Sequence, residues 1–329
     1  MSTMYYLLAL TPILFLALWH LTSTLTPPPP ATLRNKRIIL LIAHPDDESM
    51  FFSPTLQSLT HPSLQNHVKI LCLSTGNADG LGATRIRELE AAAVTLGLRR
   101  REDVFVMDDE RRFKDGMTEK WDDKEIARVL ASAFAPQLIA PAPAPPAEKE
   151  KDTKKEKSGG KSKSKKSAAT SKPSTPSPAP TPPAVPEGPR ATIDVLVTFD
   201  QAGVSGHPNH IALHAGALTF LRNLMKGHAG YACPVSLYTL SSVNIARKYS
   251  FVLDALPTLV QGVLGGGAGK GKTKGERVMF MSDLARYWKA RDAMVSGHKS
   301  QMVWFRWGWI GVGRYMVVND LKREGVAGS

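Results

Sequence analysis

Short apolar runs alternate with helical segments along this chain of 329 residues. The runs are rich in Leu and β-branched residues, which favours strands covered on both faces; they are Arg37–Ala43, Val68–Ser74, Val104–Met107 and Ile193–Phe199. Between them, Gly82–Gly97 and Asp122–Ala135 carry apolar residues at helical spacing. Strands that alternate with helices predict a parallel sheet joined by right-handed crossovers. We therefore expect an α/β fold of the Rossmann-like type, with three layers.

Composition excludes several other classes of protein. Apolar residues make up 43% of the chain, enough for a sizeable core. Its 2 cysteines are too few for the disulfide framework of a small secreted fold or for a thiolate zinc site. Collagen, coiled coil, disulfide-rich scaffold and polytopic membrane protein are therefore excluded. The net charge of +13 suggests nucleic acid, but eleven Lys and Arg against five Asp and Glu lie within residues 148–190. No nucleic-acid-binding motif accompanies this charge, so we expect no such partner.

One long segment differs in composition from the rest of the chain. Residues 141–189 hold twelve of the 24 prolines, mixed with Ala, Ser and Lys, and contain no aromatic residue. Such a segment buries too little apolar area to offset the entropy lost on ordering. We expect a disordered insertion at about 141–190 within one domain that runs from residue 31 to residue 329. A regulatory or lipid-binding role for the insertion is the alternative.

The amino-terminal run Tyr5–Leu25 is uncharged and mostly apolar. As a helix it would be about 31 Å long, enough to cross a bilayer. A cleaved signal peptide and a buried globular helix are the alternatives, but a cleavage site is not evident and the run is long for a core helix. We expect residues 1–30 to form a transmembrane helix and a proline spacer. Basic residues from Arg34 to Arg37 follow the run, which predicts that the remaining chain faces the cytosol.

Two segments rich in His and carboxylate residues follow predicted strands. One is His44-Pro45-Asp46-Asp47-Glu48, and the other, His207-Pro208-Asn209-His210, opens a helix soon after Phe199. In a parallel α/β sheet, ligands bind beyond the carboxyl ends of the strands. The two segments should therefore meet at one edge of the sheet, although they lie far apart in the sequence.

These side chains suit the activation of a water molecule by a metal ion. His44 and Asp47 lie three residues apart in a tight turn and could share one ion with His210, leaving a coordination position open. Asp46 would then be free to take a proton from the water. His207, one helical turn before His210, could donate to the developing oxyanion or to the leaving amine. Helix capping or simple surface exposure is the alternative explanation for each histidine.

Five blocks of the sequence resemble the LmbE-like zinc N-deacetylase family, and most closely its eukaryotic branch, the N-acetylglucosaminyl-phosphatidylinositol de-N-acetylases. The resemblance runs from about Ile38 to Tyr315, apart from the insertion. The blocks are AHPDDESMFFSPT (43–55), LSTGNADGLGATRIREL (73–89), VTFDQAGVSGHPNHIAL (197–213), LSSVNIARKYSFVLD (240–254) and GHKSQMVWFRW (297–307).

The resemblance implies roles for six residues. They are His44, Asp47 and His210 as metal ligands, Asp46 as general base, His207 as the stabiliser of the tetrahedral intermediate, and Arg85 as a substrate contact. Zinc is the expected ion, although a His/His/Asp set suits several first-row metals. Ala83 departs from the family pattern, because eukaryotic relatives usually have Glu before the Thr-Arg pair.

The resemblance also implies a substrate and a compartment. The reaction is hydrolysis of the N-acetyl group of a membrane-held glycolipid in glycosylphosphatidylinositol-anchor biosynthesis, at the endoplasmic reticulum. The aromatic segment Met302–Val318 could lie at the membrane–water boundary, with a core helix or a second span as alternatives. A soluble deacetylase of small aminosugars is the rival within the family, and the predicted anchor argues against it.

Residues 266–273 (GGAGKGKT) match the phosphate-loop pattern. A real phosphate loop joins a strand to a helix whose amino terminus faces the phosphates. Here Gly275 follows at once, and the preceding residues are too rich in glycine for a strand. We expect a flexible loop and no bound nucleotide.

Overall fold

The computed structural model describes residues 2–139, 188–265 and 276–325. Within these ranges the chain forms a mixed α/β fold around a seven-stranded sheet of order β3-β2-β1-β4-β5-β7-β6. The strands are β1 Arg37–Ile42, β2 His67–Cys72, β3 Val104–Val106, β4 Val195–Phe199, β5 Ser236–Leu240, β6 Arg277–Met281 and β7 Val318–Glu324. The phosphate-loop match and all but the last three residues of the predicted insertion lie outside the described residues.

Helices cover the sheet and connect its strands. They are α1 Ser2–Leu25, α2 Asp47–Met50, α3 Ser53–Leu59, α4 Gly82–Thr95, α5 Asp123–Phe134, α6 Gly203–Gly206, α7 Pro208–Met225, α8 Ile245–Lys248, α9 Ala255–Gly265, α10 Leu284–Asp292 and α11 Trp304–Val312. The start of α5 follows from its sequence, because Asp122 accepts a hydrogen bond from the backbone N–H of Lys124. Close packing of α5 on α7 requires Gly216, since a β-carbon there would lie 2.4 Å from Ile126.

The expectation of a parallel sheet is correct for the pairing of β1 to β5 and wrong for β7, the one strand of the described sheet that runs in the opposite direction. Strands β1 to β5 pair in parallel, whereas β7 runs antiparallel to both β5 and β6. Strand β7 is hard to find in the sequence because it carries buried polar residues. Asn319 accepts a hydrogen bond from the hydroxyl of Thr55 at 2.7 Å, and Asp320 accepts one from Arg314 at 3.0 Å. Only the folded chain reveals these partners, which make the polar strand residues compatible with burial.

The order of the strands determines where a ligand can bind. Strands β2 and β3 lie on one side of β1, while β4 and β5 lie on the other, so the connection order reverses between β1 and β4. Such a reversal opens a crevice at the carboxyl ends of the two strands. Both strands are firmly held, since all of β4 and all but the first residue of β1 are buried.

Helix α1 packs on this domain through its second half. Trp19 is buried, its ring lies edge-on to Phe251, and its Nε1 donates to the carbonyl oxygen of Ser282 at 2.7 Å. Ile13 and Leu14 lie on the outer face of α1 and are 61% and 65% exposed. In the described part of the chain, no helix is both long enough and apolar enough to cross a membrane. The anchor expected at residues 1–30 is therefore unconfirmed.

The aromatic segment Met302–Val318 is neither one core helix nor one span. It forms α11, a short 3-10 turn at Arg314–Met316 and the first residue of β7. The carboxyl-terminal half of α11 is anchored, because Trp309 is buried and its Nε1 donates to the carbonyl oxygen of Met50 at 3.0 Å. The amino-terminal half faces outward, and Trp304 is 84% exposed.

Candidate active site

The turn after β1 carries the two neighbouring aspartates. The Oδ2 atom of Asp47 accepts the backbone N–H groups of Ala43 and His44 at 3.0 and 2.9 Å, which folds the turn back on the strand. Asp46 has a φ of 119°, a conformation that non-glycine residues rarely adopt. Backbone strain of this kind persists where the surrounding contacts enforce it, and it is common at functional sites.

The start of α7 presents two histidines to the same crevice. His207 caps the helix, with its Nδ1 accepting the backbone N–H of Asn209 at 3.3 Å. One turn later, the His210 ring stacks on Phe199 with a centroid distance of 3.9 Å. The Nδ1 atom of His210 lies 3.2 Å from the carbonyl oxygen of Gly203, to which it donates. The lone pair of His210 therefore resides on Nε2, which lies 3.2 Å from Oδ1 of Asp47.

The predicted ligands His44, Asp47 and His210 converge. One ligand atom from each lies within 4.8 Å of the other two, and all three residues are buried. Within the described ranges, Nε2 of His210 has no hydrogen-bond partner. A buried acceptor that faces a carboxylate oxygen is unfavourable unless a cation or a proton lies between them. The three residues therefore fit a divalent metal ion.

One ring nitrogen of His44, Nε2, lies close to two acceptors. The distance is 3.0 Å to Oδ1 of Asp115 and 3.2 Å to Oδ1 of Asn209. Nε2 therefore carries the proton, which leaves Nδ1 as the ligand atom on the side of Asp47. Histidines that bind metal usually donate their second N–H to such a partner. A second group, His44 with Asp115 and His207, is also compact, but it would use the nitrogen that is already engaged.

The charges at the site shift several pKa values. Burial opposes ionisation of Asp47, but His210 and His44 hold the pKa of Asp47 well below its usual range. Burial also opposes the charged form of His44, but the hydrogen bond to Asp115 and the charge of Asp47 raise the pKa of His44. Burial is the largest cause that lowers the pKa of His207 to about 4, and positive charge on His210 or His44 would act in the same direction. His207 is thus neutral near pH 7, and because its Nδ1 accepts, its Nε2 carries a proton to donate.

Asp46 does not belong to the metal-binding group. Its Oδ2 accepts a close hydrogen bond from Nη1 of Arg306 and lies 3.7 Å from Nη2 of Arg85. Its backbone N–H donates to Oε2 of Glu48 at 3.1 Å. The structure therefore places a carboxylate that is not a ligand directly beside one that is.

Arg85 is committed to the protein backbone. Its Nη1 donates to the carbonyl oxygen of Gly76 and its Nη2 to that of Pro45, both at 2.7 Å. Gly76 has a φ of +65°, and a β-carbon there would lie 2.1 Å from Arg85. These bonds fasten the loop after β2 to the turn after β1. Contact of Arg85 with substrate stays a prediction.

The structure adds residues that the sequence did not point to individually. Glu48 and His298 are both fully buried, with Oε1 and Nε2 2.6 Å apart. They connect the turn after β1 to the block at 297–307, which the resemblance marked without assigning roles. The other additions are Asp115, Asn209 and Arg306. Asp115 lies in the long loop after β3, which contains no motif, so the sequence placed this loop at the edge of the sheet without singling out Asp115.

The crevice between β1 and β4 brings together two histidines and an aspartate, with a second aspartate beside them. This arrangement is typical of hydrolases that use a metal-activated water. The family model described as PIG-L: GlcNAc-PI de-N-acetylase matches residues 39–221. The chain therefore belongs to the PIG-L family, which confirms the resemblance seen in the sequence.

Curated relatives match the chain over most of its length. It is 43% identical to the N-acetylglucosaminyl-phosphatidylinositol de-N-acetylase of Arthroderma benhamiae, over 96% of this chain and 97% of that protein. It is 36% identical to a probable enzyme of the same name from Schizosaccharomyces pombe, over 87% and 86%. It is 30% identical to the Saccharomyces cerevisiae enzyme of that name, over 86% and 80%.

Proposed function

We propose that this chain hydrolyses the N-acetyl group of N-acetylglucosaminyl-phosphatidylinositol to give glucosaminyl-phosphatidylinositol and acetate, the second step of glycosylphosphatidylinositol-anchor biosynthesis. The observation that carries the proposal is the convergence of His44, Asp47 and His210 on one point, with Asp46 beside them, in a chain of the PIG-L family. Zinc is the expected ion.

The side chains divide the work of amide hydrolysis. A divalent cation held by His44, Asp47 and His210 would polarise the acetyl carbonyl and lower the pKa of a water molecule. Asp46 accepts a proton from that water as it attacks, and can return the proton to the amine that leaves. His207 donates from Nε2 to the acetyl oxygen as negative charge develops on it. The water oxygen is retained in acetate, and the amine takes up the proton.

We place the enzyme in the endoplasmic reticulum membrane, anchored once through residues 1–30, with its catalytic domain in the cytosol. The support is the apolar run Tyr5–Leu25, the basic residues from Arg34 to Arg37 that follow it, and a substrate that is itself a lipid. A membrane-held substrate requires the active site to work close to the bilayer surface.

The test is an assay of the purified full chain on the lipid-linked sugar, with mass spectrometry following loss of the acetyl group. We expect turnover that a chelator abolishes and added zinc restores. His210→Ala should lose metal and activity together, whereas His214→Ala, one turn along the same helix and outside the metal-binding group, should keep both. No deacetylation by the wild-type chain, or deacetylation that is indifferent to the chelator, would contradict the proposal.

A further inference from the structure

Arg306 is the cation closest to the proposed base. It lies on α11, and its Nη1 donates to Oδ2 of Asp46, while its side chain is 16% exposed. In the described part of the chain, its buried Nε has no hydrogen-bond partner. The neighbours Phe305 and Trp307 are exposed. Arg306 therefore points into the active site from a helix segment whose adjacent side chains face out.

The pairing of Arg306 with Asp46 competes with the proposed reaction. The Oδ2 atom of Asp46 already accepts a hydrogen bond from the guanidinium, so Arg306 competes with the attacking water for that oxygen. Arg85, the other cation beside Asp46, uses both of its terminal nitrogens on backbone carbonyl oxygens. Arg306 is therefore the cation whose departure frees Oδ2 of Asp46, and it needs another anion to bind when it moves away.

The substrate of the proposed reaction supplies such an anion. Its phosphodiester lies between the sugar-inositol head, which must reach Asp46, and the acyl chains. Arg306 lies between Asp46 and the exposed aromatic residues of α11, which suit an apolar environment. A guanidinium binds two phosphate oxygens at once through its planar fork, more strongly than neutral donors do.

We propose that Arg306 recognises the phosphodiester of the lipid-linked substrate, and that it occupies Oδ2 of Asp46 until that phosphodiester draws it away. This inference rests on the proposed function. Arg306 is thus a specificity-determining residue, because a substrate without the phosphodiester leaves the base paired.

The experiment compares two substrates on the zinc-loaded full chain in detergent. One is N-acetylglucosaminyl-phosphatidylinositol and the other is N-acetylglucosaminyl-inositol, which lacks the phosphodiester. For Arg306→Gln we expect kcat/KM on the phospholipid to fall about tenfold or more, mainly through KM, because a hydrogen bond between charged groups is lost. On the phosphate-free substrate, kcat/KM should rise, because Arg306 no longer competes for Oδ2 of Asp46, and an unchanged value would contradict that competition. Arg306→Lys should restore part of the loss on the phospholipid.

Lys299→Gln is the matched control, since it removes one positive charge from an exposed position close to α11. It should leave kcat/KM on both substrates unchanged. If Arg306→Gln lowers kcat/KM equally on the two substrates, or on neither, the proposed role of Arg306 is wrong. If the wild-type chain does not turn over the phosphate-free sugar, inhibition by glycerophosphoinositol replaces it. The inhibition constant should then rise about tenfold in Arg306→Gln, and an unchanged constant would overturn the proposal. A wild-type chain that fails on the phospholipid would instead contradict the proposed function, whatever Arg306 does.

Discussion

At the scale of single residues, Asp46 and Asp47 show how different surroundings suit two identical side chains to different roles. Asp47 is bonded to backbone N–H groups and faces two histidines, so it suits a metal ligand. Asp46 is held at a positive φ and faces arginines instead. Spacing in the sequence predicted that His44 and Asp47 could share one centre, because a tight turn lets residues three apart point at the same place, and the role of Asp46 as the base stays a prediction.

The division of roles leads to a first prediction. Asp46→Asn should keep the metal-binding group intact, because Asp46 is not part of it, but should lower kcat by at least ~100-fold through loss of the base. Bound metal measured by elemental analysis, together with kcat on the lipid-linked sugar, checks both statements. Near-normal turnover would show that another group accepts the proton.

Other contacts at the site could not be predicted from the sequence. His298 reaches the crevice from a segment that follows no predicted strand. Asp115 lies in the long loop after the strand predicted at Val104–Met107, but no motif in that loop singled it out. Their roles depend on partners that only the fold brings near. Glu48 was visible in the motif, but nothing indicated that it is fully buried against a histidine.

The buried pair of Glu48 and His298 provides a second prediction. In His298→Ala, Glu48 loses a partner in a site that water does not reach, and such losses cost about 3–5 kcal/mol. We expect the free energy of unfolding in urea to fall by about that amount relative to His228→Ala, a change at a half-buried loop residue. A difference below ~1 kcal/mol would mean that the remaining contacts of Glu48 are sufficient.

At the scale of elements, the sequence predicted those whose pattern is local. Strands β1 to β4 and helices α4 and α5 form where their apolar spacing placed them, with ends that differ by one or two residues. Strands β5, β6 and β7 were missed. Strand β7 in particular has a polar middle that is stabilised by partners far away in the sequence, so local spacing could not reveal it.

Helix α1 has one face buried against the domain and one exposed face, and the sequence alone did not distinguish them. Trp19 belongs to a buried cluster with Val252 and Met281, whereas Ile13 and Leu14 are exposed. Deleting residues 1–30 would therefore damage the domain as well as remove the proposed anchor. Substitution on the outer face is the sharper test.

The third prediction concerns that outer face. Ile13→Asp combined with Leu14→Asp places two charges on exposed apolar positions, where they oppose insertion into a bilayer. The double variant should lose flotation with phospholipid vesicles while keeping the melting temperature of the wild-type chain in detergent. Trp19→Ala is the contrasting variant, because it should lower the melting temperature by opening a cavity in the cluster. Unchanged flotation of the double variant would contradict the proposed anchor.

At the scale of the whole molecule, the active site joins two distant parts of the chain. His44 and Asp47 come before the segment predicted as an insertion, and His210 comes after it. Strands β1 and β4 bring the two parts together by pairing in parallel from Ile38 with Val195 to Leu40 with Val197. The sequence predicted this meeting because both motifs follow buried strands. The extent of the insertion itself stays a prediction.

The last prediction follows from that connection. A metal ion that binds the folded site and not the unfolded chain stabilises the fold by mass action, by about 2.7 kcal/mol when the free ion is at 100 times its dissociation constant. Because the ion would connect His44 and Asp47 to His210 across the sheet, a chelator should lower the melting temperature by roughly 5–10 °C, and zinc should restore it. His210→Ala should melt at the lower temperature with or without zinc, while His214→Ala should respond like the wild-type chain. A wild-type melting temperature that does not change with chelator or zinc would mean that these three side chains hold no metal in the folded protein, and the proposed mechanism would then lose its electrophile.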